Sequence, residues 1–210
     1  MPLFKKVQNN LIRIKEEDIS LEKDIQHLTE RNLKSIFNLE YVSSEFSIGS
    51  LRIDTVAFDA ENKSFVIIEY KKDRNFSVID QGFAYLALLL NNKADFLLEY
   101  NEKKGEGYFK KKNIEWSQSR IIFVSPFYTM HQKLAINFKN LPLELWEVHY
   151  YKDNIVEFEK IEPLETAEKI ETITKDEFKK VNRDIKIYDL EWHLKKASEK
   201  TKQMFFDLRD

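Results

Sequence analysis

The sequence predicts one α/β domain followed by a helical C-terminal appendage, and three observations carry that expectation. Strand-like segments follow one another at 40–48, 51–59 and 64–71. The third, Ser64-Phe65-Val66-Ile67-Ile68-Glu69-Tyr70-Lys71, is nearly all apolar before it turns charged, as a central strand covered on both faces should be. Residues 77–91 are apolar on all sides (Val78, Ile79, Phe83, Ala84, Leu86 to Leu90), which predicts a helix buried between layers.

The other elements follow in chain order. Residues 3–15 alternate loosely around Asn9-Asn10 and read as an opening hairpin. Ser20 is placed to N-cap a helix with Glu22 and Asp24 in its first turn, where the helix dipole favours acids. Leu21, Ile25, Leu28, Leu33, Ile36 and Phe37 keep the helical period to about residue 38. Gly49-Ser50 separates the first two strands, and residues 59–63 separate the second from the third. After the apolar helix come a shorter helix over 93–102 and a lysine-containing loop over 103–113. A buried strand at Ile121–Ser125, stopped by Pro126, precedes a helix over His131–Phe138. Leu143–Tyr151 and Ile155–Ile161 form a hairpin around Asp153-Asn154. This gives a domain over 1–162, a charged linker or peripheral segment over 163–188, and an amphipathic C-terminal helix over 189–210.

Composition removes several function classes. The 210 residues are 42% hydrophobic and 33% charged, enough to fill a core beneath a soluble surface. No apolar run approaches the roughly 18 residues that span a bilayer. With no cysteine there is neither a disulfide framework nor a thiolate zinc site, and no signal-peptide pattern opens the chain. These features make the cytoplasm the expected location. The net charge of −2 gives no overall attraction to nucleic acid, though a local basic groove is compatible with it. His27, His131, His149 and His193 show no metal-ligand spacing, and the four glycines form no phosphate loop. Trp116, Trp146, Tyr150 and Tyr151 are expected to serve packing.

The informative feature is charge where a strand should be apolar. Glu69 ends a buried-looking strand, and Lys71, two residues on, projects from the same face. Asp54 interrupts the preceding apolar strand in the same way. Burying such groups costs several kcal/mol unless they are paired or bound to a metal. If Phe58 pairs with Phe65 and Val56 with Ile67, Asp54 falls opposite Glu69, where like charges repel. A divalent cation would turn that repulsion into ligation, and hard oxygen ligands suit Mg²⁺ or Mn²⁺. The same Glu-x-Lys spacing at Glu61/Lys63, Glu102/Lys104 and Glu177/Lys179 lies in polar, turn-like or helix-like segments, so context carries the signal.

Ile53-Asp54 followed by Ile68-Glu69-Tyr70-Lys71 resembles the core signature of the PD-(D/E)XK nuclease superfamily, with Ile53 in place of the usual proline. The resemblance covers roughly residues 20–130. It extends to Glu30, similar to the superfamily's additional helical acid, and to Gln81 and Tyr85, similar to the Q-x-x-x-Y element of RecB-like members. It implies a restriction-endonuclease-like core with a mixed central sheet flanked by helices. The chain also resembles uncharacterised bacterial and archaeal proteins with this domain, some labelled "predicted transport protein". In those relatives a second small domain opens near His193.

The resemblance implies roles. Asp54, Glu69 and the Tyr70 carbonyl would hold Mg²⁺ (or Mn²⁺), Lys71 would hold the attacking water or stabilise phosphate charge, and Glu30 would reach a water or second metal. Gln81 would orient Lys71. Tyr85 would do the same or contact nucleic acid, with Lys72, Arg74, Lys110, Lys111 and Lys112 as a basic groove. The function so implied is hydrolysis of phosphodiester bonds, DNA ahead of RNA. The rivals are an inactive nucleic-acid-binding module on the same fold and a protein-interaction domain docking through the C-terminal segment. A homodimer is compatible with any of them.

Overall fold

The computed structural model describes residues 2–19, 21–49, 51–72, 77–105 and 110–168. The expected cap at Ser20, the groove residue Arg74, all of the 163–188 segment beyond Glu168, and the helix expected at 189–210 lie outside the described residues.

The opening hairpin forms as its alternation predicts. Strands β1 (Phe4–Val7) and β2 (Asn10–Arg13) pair antiparallel, and every residue in both is exposed. A two-residue strand β3 (Glu16–Glu17) then joins the main sheet. The predicted first helix is split at Asn32 into α1 (Glu22–Arg31) and α2 (Leu33–Phe37). Asn38, left-handed with φ of 57°, ends it.

Strands β4 (Glu40–Ile48), β5 (Leu51–Asp59) and β6 (Ser64–Tyr70) form an antiparallel meander. Helices α3 (Val78–Asn91) and α4 (Lys93–Lys104) lead to β7 (Arg120–Ser125), which lies parallel to β6. A short helix α5 (Met130–Ala135), closed by a Thr129–Gln132 capping box, precedes β8 (Leu143–Tyr151), parallel to β7. Strand β9 (Ile155–Ile161) returns antiparallel along β8 through a turn with Asp153 and Asn154 at positive φ. The fold is thus mixed α/β, with a central mixed sheet flanked by helices and ordered β4-β5-β6-β7-β8, as expected.

Alternation along β5 and β6 divides the core in two. On one face Val56, Phe58, Phe65, Ile67, Phe123 and Leu145 pack with Leu89, Phe96 and Tyr100 of α3 and α4. On the other, Ala57, Val66, Ile68, Tyr70, Ile122 and Val124 pack with Ile25 and Leu33 of α1 and α2. Each of the Val, Leu, Ile and Phe side chains among them contributes about 1.5–3 kcal/mol of burial. All seven residues of β6 are buried, as a strand covered on both faces requires.

The expectation for α3 is corrected. Only Val78, Gly82 and Leu89 of this helix are buried, while Phe83 is 43% and Leu90 37% exposed. Its composition is apolar all round, yet it rests on one face of the sheet, with solvent over its outer side among the described residues. Trp116 and Trp146 serve packing as expected: Trp116 stacks on Phe65 at 5.5 Å, and Trp146 meets Phe37 edge-on at 4.8 Å. No helix among the described residues is long and apolar enough to cross a membrane.

Candidate active site

The register places the two strand carboxylates together. Phe58 pairs with Phe65 and Val56 with Ile67, and the ladder runs to Thr55↔Ile68. One step further along the same diagonal sets Asp54 against Glu69. Both share the α3 face with Val56, Phe58, Phe65 and Ile67, by the two-residue period of a strand. Asp54 Oδ2 accepts a hydrogen bond from the Tyr70 N–H at 3.1 Å, which ties the carboxylate to the end of β6.

Lys71 and Tyr85 complete the group. Lys71 Nζ lies 2.8 Å from Glu69 Oε1, and the Tyr85 hydroxyl donates to the same oxygen at 3.2 Å. The lysine is positioned by its own backbone, whose N–H donates to the Val124 carbonyl at 2.9 Å and extends the β6–β7 ladder by one residue. The Glu69 side chain is only 5% exposed, yet its Oε2 is buried without a hydrogen-bond partner. Gln81, one helical turn before Tyr85, likewise buries its Oε1 with no partner.

The electrostatics follow from crowding. Burial raises the Glu69 carboxyl above the usual range, and the neighbouring Asp54 charge pushes the same way against the pull of Lys71. Burial also raises Asp54, opposed by the Tyr70 N–H and Lys71, and reinforced by the charges of Glu22 and Glu45. For Lys71, burial alone would lower the pKa; its hydrogen bond to Glu69 and the charges of Glu69, Glu22 and Asp54 more than offset this, and the net shift is upward. Tyr85 is raised by burial and by Glu69, so it stays a donor.

Two residues that the sequence reading did not single out for the site stand beside it. Glu22, in the first turn of α1, accepts from the Lys72 N–H at 3.0 Å, and its other oxygen lies 4.0 Å from Lys71 Nζ. Glu45 sits across from Asp54, between the pairs Ser44↔Thr55 and Phe46↔Ile53, with a mid-strand φ of 56°. A non-glycine residue there carries strain of about 1–2 kcal/mol. Glu22 was visible in the sequence only as an acid favouring a helix start; finding its role needs the helix laid over the end of β6. Glu45 has no sequence signal.

Glu30 is not brought to the group. Its Oε1 accepts from Thr55 Oγ1 at 2.6 Å, Ser44 Oγ at 2.8 Å and Gln26 Nε2 at 3.0 Å. Tyr70 OH lies 3.2 Å from Thr55 Oγ1 and extends the chain by one hydroxyl. Thr55 faces away from Asp54 along β5, so Glu30 serves the opposite face of the sheet. Glu30 lies eight positions after Glu22 on α1, a rise of about 12 Å that carries it from Lys72 at the end of β6 to Ser44 of β4 and Thr55 of β5.

Among the described residues the expected basic groove is not assembled either. Lys72 is exposed next to Lys71, but Lys110, Lys111 and Lys112 lie where β6 begins, since the nearby Glu115 N–H donates to the Lys63 carbonyl at 2.8 Å. The length of β6, about 20 Å, separates the two. Three lysines in one loop signal charge; they do not signal which end of the sheet the loop reaches.

The donor set fits a hard divalent cation. Two carboxylates converge, one with a buried oxygen lacking a partner, and the sequence supplies no thiolate donor. Among the described residues no group of three or more His, Asp or Glu is gathered for a metal. Asp54, Glu69 and a main-chain carbonyl would therefore leave several positions to water, the usual habit of Mg²⁺.

Over 212 aligned residues, covering all of this chain and 70% of its relative, the sequence is 41% identical to an uncharacterised protein of Haemophilus influenzae. The chain belongs to that protein's family. No family model matches the sequence. Similar solved structures include a repair endonuclease from Pyrococcus abyssi (17% identity, TM-score 0.35, 63% of this chain) and EndoMS. EndoMS appears both in apo form (14%, TM-score 0.37) and in complex with dsDNA (15%, TM-score 0.35), each over 70% of this chain. The chain spans about half of the Pyrococcus protein (49%) and 65% of EndoMS, and no residue role passes from them to it.

Proposed function

We propose that this chain is a Mg²⁺-dependent nuclease of the RecB-like PD-(D/E)XK branch, hydrolysing phosphodiester bonds in DNA ahead of RNA. The observation that carries the reading is the buried, unpartnered Glu69 Oε2 beside Asp54. A structural ion pair accounts for Glu69 Oε1 and Lys71; it does not account for two adjacent carboxylates with an oxygen left bare.

Asp54, Glu69 and the Tyr70 carbonyl would hold the cation, with Mn²⁺ able to replace Mg²⁺. The chemistry such a cation brings is acidification of a bound water and neutralisation of phosphate charge. Tyr85 holds the Glu69 carboxylate by its hydrogen bond. Lys71 stays charged and supplies an ammonium group that orients the attacking water or meets charge developing on the phosphate oxygens. Glu22 anchors the Lys72 backbone and so holds that residue against α1. Gln81 offers the amide nearest in sequence to Tyr85 on the same helix face, for Lys71 or for the nucleic acid strand.

The test is calorimetric titration of Mg²⁺ and Mn²⁺ into the wild type and Asp54→Ala, followed by cleavage assays on mixed DNA and RNA substrates. Binding lost in the variant together with metal-dependent cutting supports the proposal. A wild type that binds no metal, even with DNA present, would leave a nuclease-shaped interaction module.

A further inference from the structure

The candidate site is rich in acids for a place that is to receive a phosphodiester. Besides Asp54 and Glu69, the charges of Glu22 and Glu45 act on Asp54, and Lys71 is already bound to Glu69. Lys110–Lys112 stand at the far end of β6 and supply no cation there. Arg52 does. It lies two residues before Asp54 on β5, about 7 Å along the strand, and the mechanism above does not use it. Its carbonyl is 3.4 Å from the Tyr85 hydroxyl, the same hydroxyl that donates to Glu69 Oε1. Its positive charge also reaches that hydroxyl, opposing the upward shift that burial and Glu69 produce. Arg52 is thus tied to the carboxylate site through Tyr85, by backbone and by charge.

The guanidinium is held along one edge and open along the other. Arg52 Nε lies 2.8 Å from Glu45 Oε2, although the contact is not aligned as a hydrogen bond and leaves that oxygen without one. Among the described residues no acceptor is bonded to either terminal amino group. The side chain is 67% exposed, and those two groups are left to solvent. A guanidinium held this way presents a planar, two-pronged donor that matches the two free oxygens of a phosphodiester.

We infer that Arg52 is a phosphate-binding residue of this site, taking with its terminal amino groups a backbone phosphate next to the one over Asp54 and Glu69. The inference rests on the nuclease reading above and adds the contact that holds the strand on the β5 side, across from Lys71 and Lys72 on the β6 side. Phosphate contacts fix register and orientation without reading sequence, so the ligand is the nucleic acid backbone itself.

The experiment measures affinity for a labelled DNA duplex, and for one of its single strands, over a series of salt concentrations. The full chain is used, with Asp54→Asn to prevent cutting. Arg52→Gln should weaken binding about 10-fold and lower the slope of log affinity against log salt by about 0.7–0.9, as one lost phosphate contact does. Arg52→Lys should keep that slope, because it keeps the charge, while losing part of the affinity with the fork. Lys110→Gln, at the far end of β6, should change neither. In Mg²⁺ cleavage assays without the Asp54 change, Arg52→Gln should raise KM more than it lowers kcat; thermal melts check that each variant folds. A slope unchanged by Arg52→Gln, or lowered equally by Lys110→Gln, overturns the inference and leaves Arg52 as a partner of Glu45 alone. Metal-dependent cutting alongside that result keeps the nuclease reading. The expected slope change without metal response or cutting would keep the phosphate contact and remove the nuclease reading. No DNA binding by any form, with or without Mg²⁺, would remove both.

Discussion

One oxygen of Glu69 receives both Lys71 Nζ, at 2.8 Å, and the Tyr85 hydroxyl, at 3.2 Å, while the other receives nothing. Lys71 is therefore the partner that opposes the upward push of burial and of Asp54 on a nearly inaccessible carboxylate. Lys71→Ala should cost about 3 kcal/mol at neutral pH, because removing one member of a buried pair strands the other. The double variant Glu69→Gln/Lys71→Met should recover most of that loss. Urea denaturation of the three proteins measures it, and equal stability of wild type and Lys71→Ala would show that the pair is not coupled.

The same carboxylates set a pH dependence. Asp54 and Glu69 both have folded-state pKa values raised by burial, so the folded chain binds more protons than the unfolded one between the ordinary carboxylate range and the raised values. Their stabilising contribution is complete below the unfolded pKa and is lost as pH rises through the folded pKa. The metal-free protein should accordingly lose stability as pH rises from about 4. Asp54→Asn should flatten that loss and raise the neutral-pH melting temperature by a few degrees, with about 1 kcal/mol gained. Mg²⁺ should restore stability to the wild type alone. Melting curves from pH 4 to 8, with and without Mg²⁺, read all three effects.

Glu30 and Glu22 should separate by phenotype. Glu30→Ala removes the acceptor of three donors, including the fully buried Thr55 hydroxyl, and should cost about 1–3 kcal/mol with metal affinity unchanged. Glu22→Gln should leave stability within about 0.5 kcal/mol while shifting metal binding or cleavage. Chemical denaturation and calorimetry on both variants decide it; a Glu30 variant with lost metal affinity and intact stability would restore Glu30 to the site.

Gly82 sets how closely α3 approaches the sheet. A Cβ built there would lie 2.5 Å from Leu143 Cδ2 and 3.0 Å from Cδ1. Alanine gains about 1 kcal/mol of helix preference, but it must displace a buried leucine end. Gly82→Ala should be near neutral, whereas Gly82→Leu overpacks the contact and should cost about 3 kcal/mol. Since α3 also carries Tyr85, the leucine variant should loosen the hold on Glu69. Melting temperatures for the two variants make the comparison.

The strands that build the site were legible because their signal is local. The alternation and apolar runs over 40–48, 51–59 and 64–71 set which residues face each layer, and the short loop at 60–63 set the register that carries Asp54 to Glu69. What the chain alone determined is this meander, its two faces and the charged positions on one of them, since a period of two and a tight turn depend only on neighbouring residues.

Tertiary structure decided the rest. It chose Glu22 over Glu30 as the α1 acid beside Lys71, because the two lie on one helix and only its placement over the sheet tells them apart. It carried Lys110–Lys112 to the far end of β6 and, among the described residues, left the outer side of α3 open, despite a composition suited to full burial. Helix periodicity states which residues share a face; where that face lands depends on contacts between segments far apart in the chain.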